Sequence, residues 1–172
     1  MMTVTYGKGF EVPVPAAPLI TLDAETGKIV VPGADPAAVR AWIMRLTQTM
    51  LAMPGEKREF HVEHTIKDGM YMRKLFIPKG SLIVGKIHKL DCINIVAQGD
   101  ISVVTETGSA RVGAGYTVVS PAGLQKVGYA HEDTVFINVF RTDETDIDEI
   151  EDAIAWNSYE AAGYLTIKSE GE

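Results

Sequence analysis

The chain has 172 residues, 46% apolar and 23% charged, which allows one domain with a hydrophobic core and excludes wholesale disorder. A net charge of −7 and an isoelectric point near 5.1 argue against a nucleic-acid partner, since phosphate-backbone binding runs on clustered Lys and Arg. No apolar run approaches the roughly 18–20 residues that a bilayer crossing needs, so no membrane partner is expected.

Met1–Tyr6 has neither a basic start nor an apolar stretch, so no secretory signal is expected. The single cysteine, Cys92, cannot staple the fold and suits a reducing, cytoplasmic setting. Residues 1–57 read as an arm, a hairpin and a helix. Pro13, Pro15, Pro18 and Pro32 interrupt short apolar pieces, and Glu25–Lys28 separates Leu19–Leu22 from Ile29–Val31 as a hairpin turn would. Such an arm either covers a sheet edge or reaches a neighbouring subunit. Asp35 is a good N-cap, Pro36 fits the first helical position, and Pro54-Gly55 is a stop. Between them Val39, Trp42, Ile43, Leu46, Met50 and Met53 form one apolar stripe, expected to pack on the following unit.

Residues 58–141 turn to strand patterning. Glu59–Ile66 and Met70–Ile77 flank a Lys67-Asp68-Gly69 turn. Further strands are expected at Ser81–Ile87, Cys92–Ala97, Ile101–Thr105, Tyr116–Ser120 and Thr134–Phe140. Many short strands punctuated by glycine predict a mainly β sandwich or barrel. Residues 142–172 form an acidic end, with a helix over Asp146–Trp156 that puts Ile147, Ile150 and Ile154 on one face. The acidic run Asp143–Asp152 reads as a solvated face. Tyr164–Ile167 is a candidate edge strand.

Two glycine frames carry more specific information. The first runs from Gly80 to Gly99, with Lys86-Ile87-His88 after five residues and Cys92 four residues later. The second runs from Gly115 through Pro121-Ala122-Gly123 to Lys126. Both resemble the two motifs of the cupin superfamily, in order and without gaps, over about Tyr71 to Asp152. The resemblance implies a double-stranded β-helix, or jelly-roll, barrel. It also implies that Lys86, His88, Cys92 and Lys126 stand where a cupin's three histidines and glutamate hold a metal. Lys86–Lys89, Ser120–Gly123 and Tyr129–Thr134 look like a small cupin-like group of tailed bacteriophages and their hosts. That likeness implies a host-cytoplasmic or virion protein and a phage structural partner.

The substitutions change the chemistry. Two lysines repel a cation, and His88 with Cys92 supplies only two ligands, so no metal and no cofactor is expected. Asp91 faces away from its strand neighbour. The remaining set, Lys86, His88 and Lys126, makes a positive pocket suited to a small anion, with Asn94 on the face of Cys92 placed to orient it. Alternatively each lysine snorkels outward or pairs with Glu63 or Asp91. Cys92 reads as a small buried hydrophobe, or as a thiolate stabilised by Lys86. His61 and His64 fall on opposite faces of a strand, and His131 lies at a loop or strand edge.

No phosphate loop, paired zinc cysteines, nucleophile elbow or dinucleotide fingerprint is present, and no catalytic residue is assigned. The leading expectation is a non-enzymatic binding or assembly module that forms a homodimer or larger homo-oligomer. The alternatives are a protein that sequesters a phosphorylated or nucleotide signal, and a cupin enzyme. The enzyme would be a metal-dependent oxygenase, or an isomerase or epimerase with His88 as general base.

Overall fold

The computed structural model describes residues 4–6, 21–22, 29–30, 35–52, 60–157 and 161–163. In chain order the elements are β1 (Val4–Tyr6), β2 (Thr21–Leu22), β3 (Ile29–Val30), α1 (Pro36–Ala52), β4 (Val62–Lys67), β5 (Met70–Ile77), β6 (Leu82–Val84) and β7 (Ile87–His88). They continue with β8 (Cys92–Gln98), β9 (Asp100–Thr105), β10 (Gly108–Gly113), β11 (Thr117–Ser120), β12 (Val127–Ala130), β13 (Thr134–Arg141), α2 (Ile147–Ile154) and β14 (Ala155–Trp156). Among the described residues no helix is long and apolar enough to cross a membrane.

Strand alternation puts one side chain in two toward a shared interior. One five-stranded sheet has the order β1-β6-β12-β9-β10, the other β11-β8-β13-β5-β4. Leu75, Ile77 and Val96 of the second sheet pack with Ile83, Ile101 and Ala130 of the first, so the sheets enclose one core. This is the mainly β jelly-roll barrel that the glycine frames predicted. The four frame glycines, Gly80, Gly99, Gly115 and Gly123, all have positive φ, between 78° and 89°. At Gly99 the requirement is doubled. A Cβ there would meet the Asp133 carbonyl oxygen at 2.5 Å and Thr134 Cα at 2.8 Å.

The β4–β5 hairpin turns on Asp68 and Gly69, at φ 49° and 78°, a pair of left-handed residues that suits a two-residue loop. On α1, Val39, Ile43, Leu46 and Met50 are buried against Val84, Val104 and Val127 on the outer face of the first sheet, so the stripe packs on the barrel. Met53 and Pro54-Gly55 lie outside the described residues, as do the Glu25–Lys28 turn and Tyr164–Ile167. The β2–β3 hairpin is present. The arm's Val4–Tyr6 pairs with β6 of its own chain, extending that sheet and taking the first of the two expected roles.

At one end of the barrel, Ile150 and Ile154 of α2 pack on Tyr71, Cys92 and Phe140. Asp146 caps this helix, its side chain accepting from the Asp148 and Glu149 N–H groups. Ile147, expected on the buried face, is the first residue of the helix and is exposed, while Ile150 and Ile154 are buried. Beyond α2, β14 pairs with β7, setting Ala155 opposite His88.

Candidate functional site

Backbone bonds lay the second glycine frame along the first. Gly123 N–H donates to the His88 carbonyl and Gly85 N–H to the Lys126 carbonyl, each at 2.8 Å. Asp91 steadies the turn between them, its Oδ1 accepting from Ala122 N–H at 2.8 Å. Asp91 is thus a turn-holding residue, and among the described residues it pairs with no lysine.

This arrangement gathers Lys86, His88 and Lys126 around a cavity of about 80 Å³ inside the barrel. Arg73 from β5 and Asn138 from β13 complete its polar lining, and Leu75, Ile77 and Phe136 belong to its apolar wall. Asn94 and Lys126 line a second cavity of about 310 Å³, which meets the first at Val103, Lys126 and Phe136. Cys92 lies behind His88, 2% exposed, with Sγ 3.5 Å from His88 Nδ1.

The electrostatics are lopsided. Lys126 Nζ is buried and, among the described residues, has no hydrogen-bond partner. Burial pushes the pKa of both Lys126 and Arg73 down, and Glu151 partly offsets this at Arg73. His88 is driven down to about 3, first by burial and then by the Lys126 and Arg73 charges, so its imidazole is neutral and a weak proton acceptor at pH 7. That argues against the general-base role weighed for it.

Three further expectations change. Lys86 is not an open anion donor: its Nζ donates to Asn157 Oδ1 at 3.0 Å and lies 3.9 Å from Glu151 Oε2. Glu151 is correspondingly not part of a solvated acidic face, its side chain being 17% exposed. Asn94 has no capacity left to orient a ligand, because its Nδ2 donates to Ser120 Oγ at 2.7 Å and its Oδ1 accepts from Asn138 Nδ2 at 2.8 Å. It is a buried strut between strands. Cys92 is held above its ordinary pKa by burial, and the opposing cation is Lys126, so the small-hydrophobe reading stands and the thiolate does not.

The histidines outside the barrel interior have structural partners. His64 Nδ1 lies 2.7 Å from Tyr71 Oη, His61 Nε2 lies 3.6 Å from Glu63 Oε1, and His131 Nε2 lies 2.7 Å from Ser102 Oγ. Glu63 pairs with Lys74, not with a barrel lysine. Arg73 and Asn138 were missed in the sequence. An inward-phase arginine between Tyr71 and Leu75 on β5 was the available signal.

A divalent metal does not fit these residues. The one imidazole in the interior sits between two cationic side chains, and no group of three His, Cys, Asp or Glu converges among the described residues.

The sequence matches no family model and no curated protein. Solved structures match about half of the chain at low similarity. KdgF from Halomonas sp. is 18% identical over 52% of this chain and 91% of its own, with a TM-score of 0.45. A conserved protein of unknown function from Streptococcus pyogenes is 21% identical over 52% and 80%, at 0.43. A cupin superfamily protein from Desulfitobacterium hafniense is 9% identical over 53% and 84%, at 0.44. Cupin-family proteins are thus among the neighbours of this barrel.

Proposed function

We propose that this chain is a cupin-type binding module whose barrel holds a small organic anion, with Arg73 and Lys126 as its counter-charges and no chemical step. The observation that carries the reading is the buried, unpartnered Lys126 Nζ at the junction of two cavities. An ammonium without a partner in the interior is destabilising, and an entering anion would relieve that penalty. Glu151, the carboxylate that acts on Arg73, already faces Lys86.

The test is thermal unfolding of the full chain, in a cationic buffer, against a panel of carboxylates and inorganic phosphate. At a ligand concentration of 100 times Kd, stabilisation by about 2.7 kcal/mol is expected in the wild type, with none in Lys126→Met. A wild type unmoved by every anion, or a variant that responds equally, overturns the reading.

A second reading, assembly, is favoured by one surface. Val119, Ile93, Val139 and Met72 stand side by side across neighbouring strands of the second sheet, on its outward face. Val119 is 62% and Ile93 42% exposed. A second copy of the chain could cover this apolar row. Light scattering at micromolar concentration tests it: a dimer supports the reading, and a strict monomer sinks it.

A further inference from the structure

Resting on the anion reading above, we infer that the ligand is an amphipathic monocarboxylate: a carboxylate head between Arg73 and Lys126, and a hydrocarbon tail reaching from the smaller cavity into the larger.

The head is chosen by counting polar partners. A phosphate presents oxygens in every direction and needs donors on every side. The polar lining of the smaller cavity is Arg73, Lys86, His88, Lys126 and Asn138, and of these Lys86 is already bonded to Asn157 Oδ1. Asn138 contributes no donor pointing to a ligand, because its Nδ2 is bonded to Asn94 Oδ1. The rest of the wall is largely hydrocarbon and includes Leu75, Ile77, Ile83 and Ile101. A phosphate oxygen against that wall would be desolvated without a partner. A carboxylate has two oxygens, which a guanidinium and an ammonium satisfy, and everything beyond its first carbon can be apolar.

The tail is chosen by where the space goes. The smaller cavity, about 80 Å³, holds little more than a head group. It meets the larger one, about 310 Å³, at Val103, Lys126 and Phe136. Val96, Val112 and Leu124 continue the apolar lining there. An occupant of the smaller cavity that extends at all therefore extends along hydrocarbon, past an ammonium that keeps the charged end in place.

The experiment is isothermal titration of the full chain with sodium butanoate, hexanoate and octanoate, and with inorganic phosphate, in a cationic buffer. Each methylene buried should tighten binding by about fourfold until the larger cavity is full, so hexanoate should bind roughly fifteen times more tightly than butanoate. Phosphate should give no heat, and Lys126→Met should lose all three carboxylates. Val112→Ser, at a half-buried position of the larger cavity, should weaken octanoate and leave butanoate unchanged. Affinity independent of chain length, or binding of phosphate alone, overturns this inference while the anion reading survives. Silence with every anion, together with an unmoved thermal transition, overturns both.

Discussion

Replacing Lys126 by Met should make the unliganded protein more stable. The side chains are similar in length, and the ammonium lost is one that is buried and donates to no hydrogen-bond partner among the described residues. Releasing such a penalty is worth about 1–3 kcal/mol. For a chain of this size that raises Tm by about 2–4 °C per kcal/mol. The pH dependence gives a sharper signature. Burial holds the Lys126 pKa below its ordinary 10.5 in the folded state. Between that lowered value and 10.5 the unfolded chain binds a proton that the folded chain does not. Wild-type stability should therefore rise with pH across this window, at up to about 1.4 kcal/mol per unit. Below the window both states are protonated and the full penalty is present; above it neither is charged and the penalty is gone. Urea unfolding followed by tryptophan fluorescence, on both proteins from pH 6 to 10.5 in anion-poor buffer, isolates the contribution as a difference. The gap should be widest at low pH and close toward 10.5. A variant less stable than wild type at pH 7, or two parallel curves, refutes the reasoning.

The remaining predictions use the same barrel. His88 has a folded pKa of about 3 against 6.5 unfolded, so wild-type stability should fall as pH drops from 6.5 toward 3. His88→Gln should flatten that fall, and equal slopes in acid-titrated urea curves would contradict it. Gly99→Ala should cost more than about 3 kcal/mol, because its Cβ meets backbone atoms. Gly115→Ala, with nothing within 4 Å, should cost only the left-handed strain of about 1–2 kcal/mol. Denaturant midpoints for the two variants would settle the order. Cys92, buried and raised in pKa, should resist a thiol reagent at pH 8 and react once the chain is unfolded in urea; rapid labelling of the folded protein would count against the burial described. Val119→Asp should leave the circular dichroism unchanged and shift a dimer to monomer in light scattering.

The fold was legible where local chemistry was unambiguous. Asp35-Pro36 and the stripe from Val39 to Met50 announced α1, Asp68-Gly69 announced a hairpin, and the two glycine frames marked turns that only positive φ can make. Three strands escaped: β10, β12, and β14 at Ala155–Trp156, where the pattern predicts the end of a helix over Asp146–Trp156 but α2 stops at Ile154 and the chain pairs with β7. In β10, Gly-Ser-Ala-Arg-Val-Gly is almost wholly exposed and has no alternation, so only its partner β9 makes it a strand. In β12, Val127-Gly128-Tyr129-Ala130 is too short and too glycine-poor in flanking signal to stand out, and pairing with β6 and β9 determines it. The pocket was half legible. The frames located Lys86, His88 and Lys126 together, but nothing in the sequence told that α2 would return with Glu151, and the residue after β14, Asn157, with it, and take up Lys86. Nor could spacing show that Asn94 would be consumed by Ser120 and Asn138, since those contacts span 26 and 44 residues.

The separation of frame from ligand set explains how such a pocket can exist. Gly80, Gly99, Gly115 and Gly123 define backbone turns through φ, and that requirement is indifferent to what the intervening side chains bind. Charge can then be inverted at the ligand positions without refolding the barrel, provided the interior tolerates it. Here tolerance comes from two directions. Glu151, carried by α2, lies near Arg73 and Lys86, while the neutral imidazole of His88 adds no third charge beside Lys126. One ammonium is left over. Lys126, buried, without a hydrogen-bond partner among the described residues and lining both cavities, is therefore the position at which the stability test and the anion titration should agree.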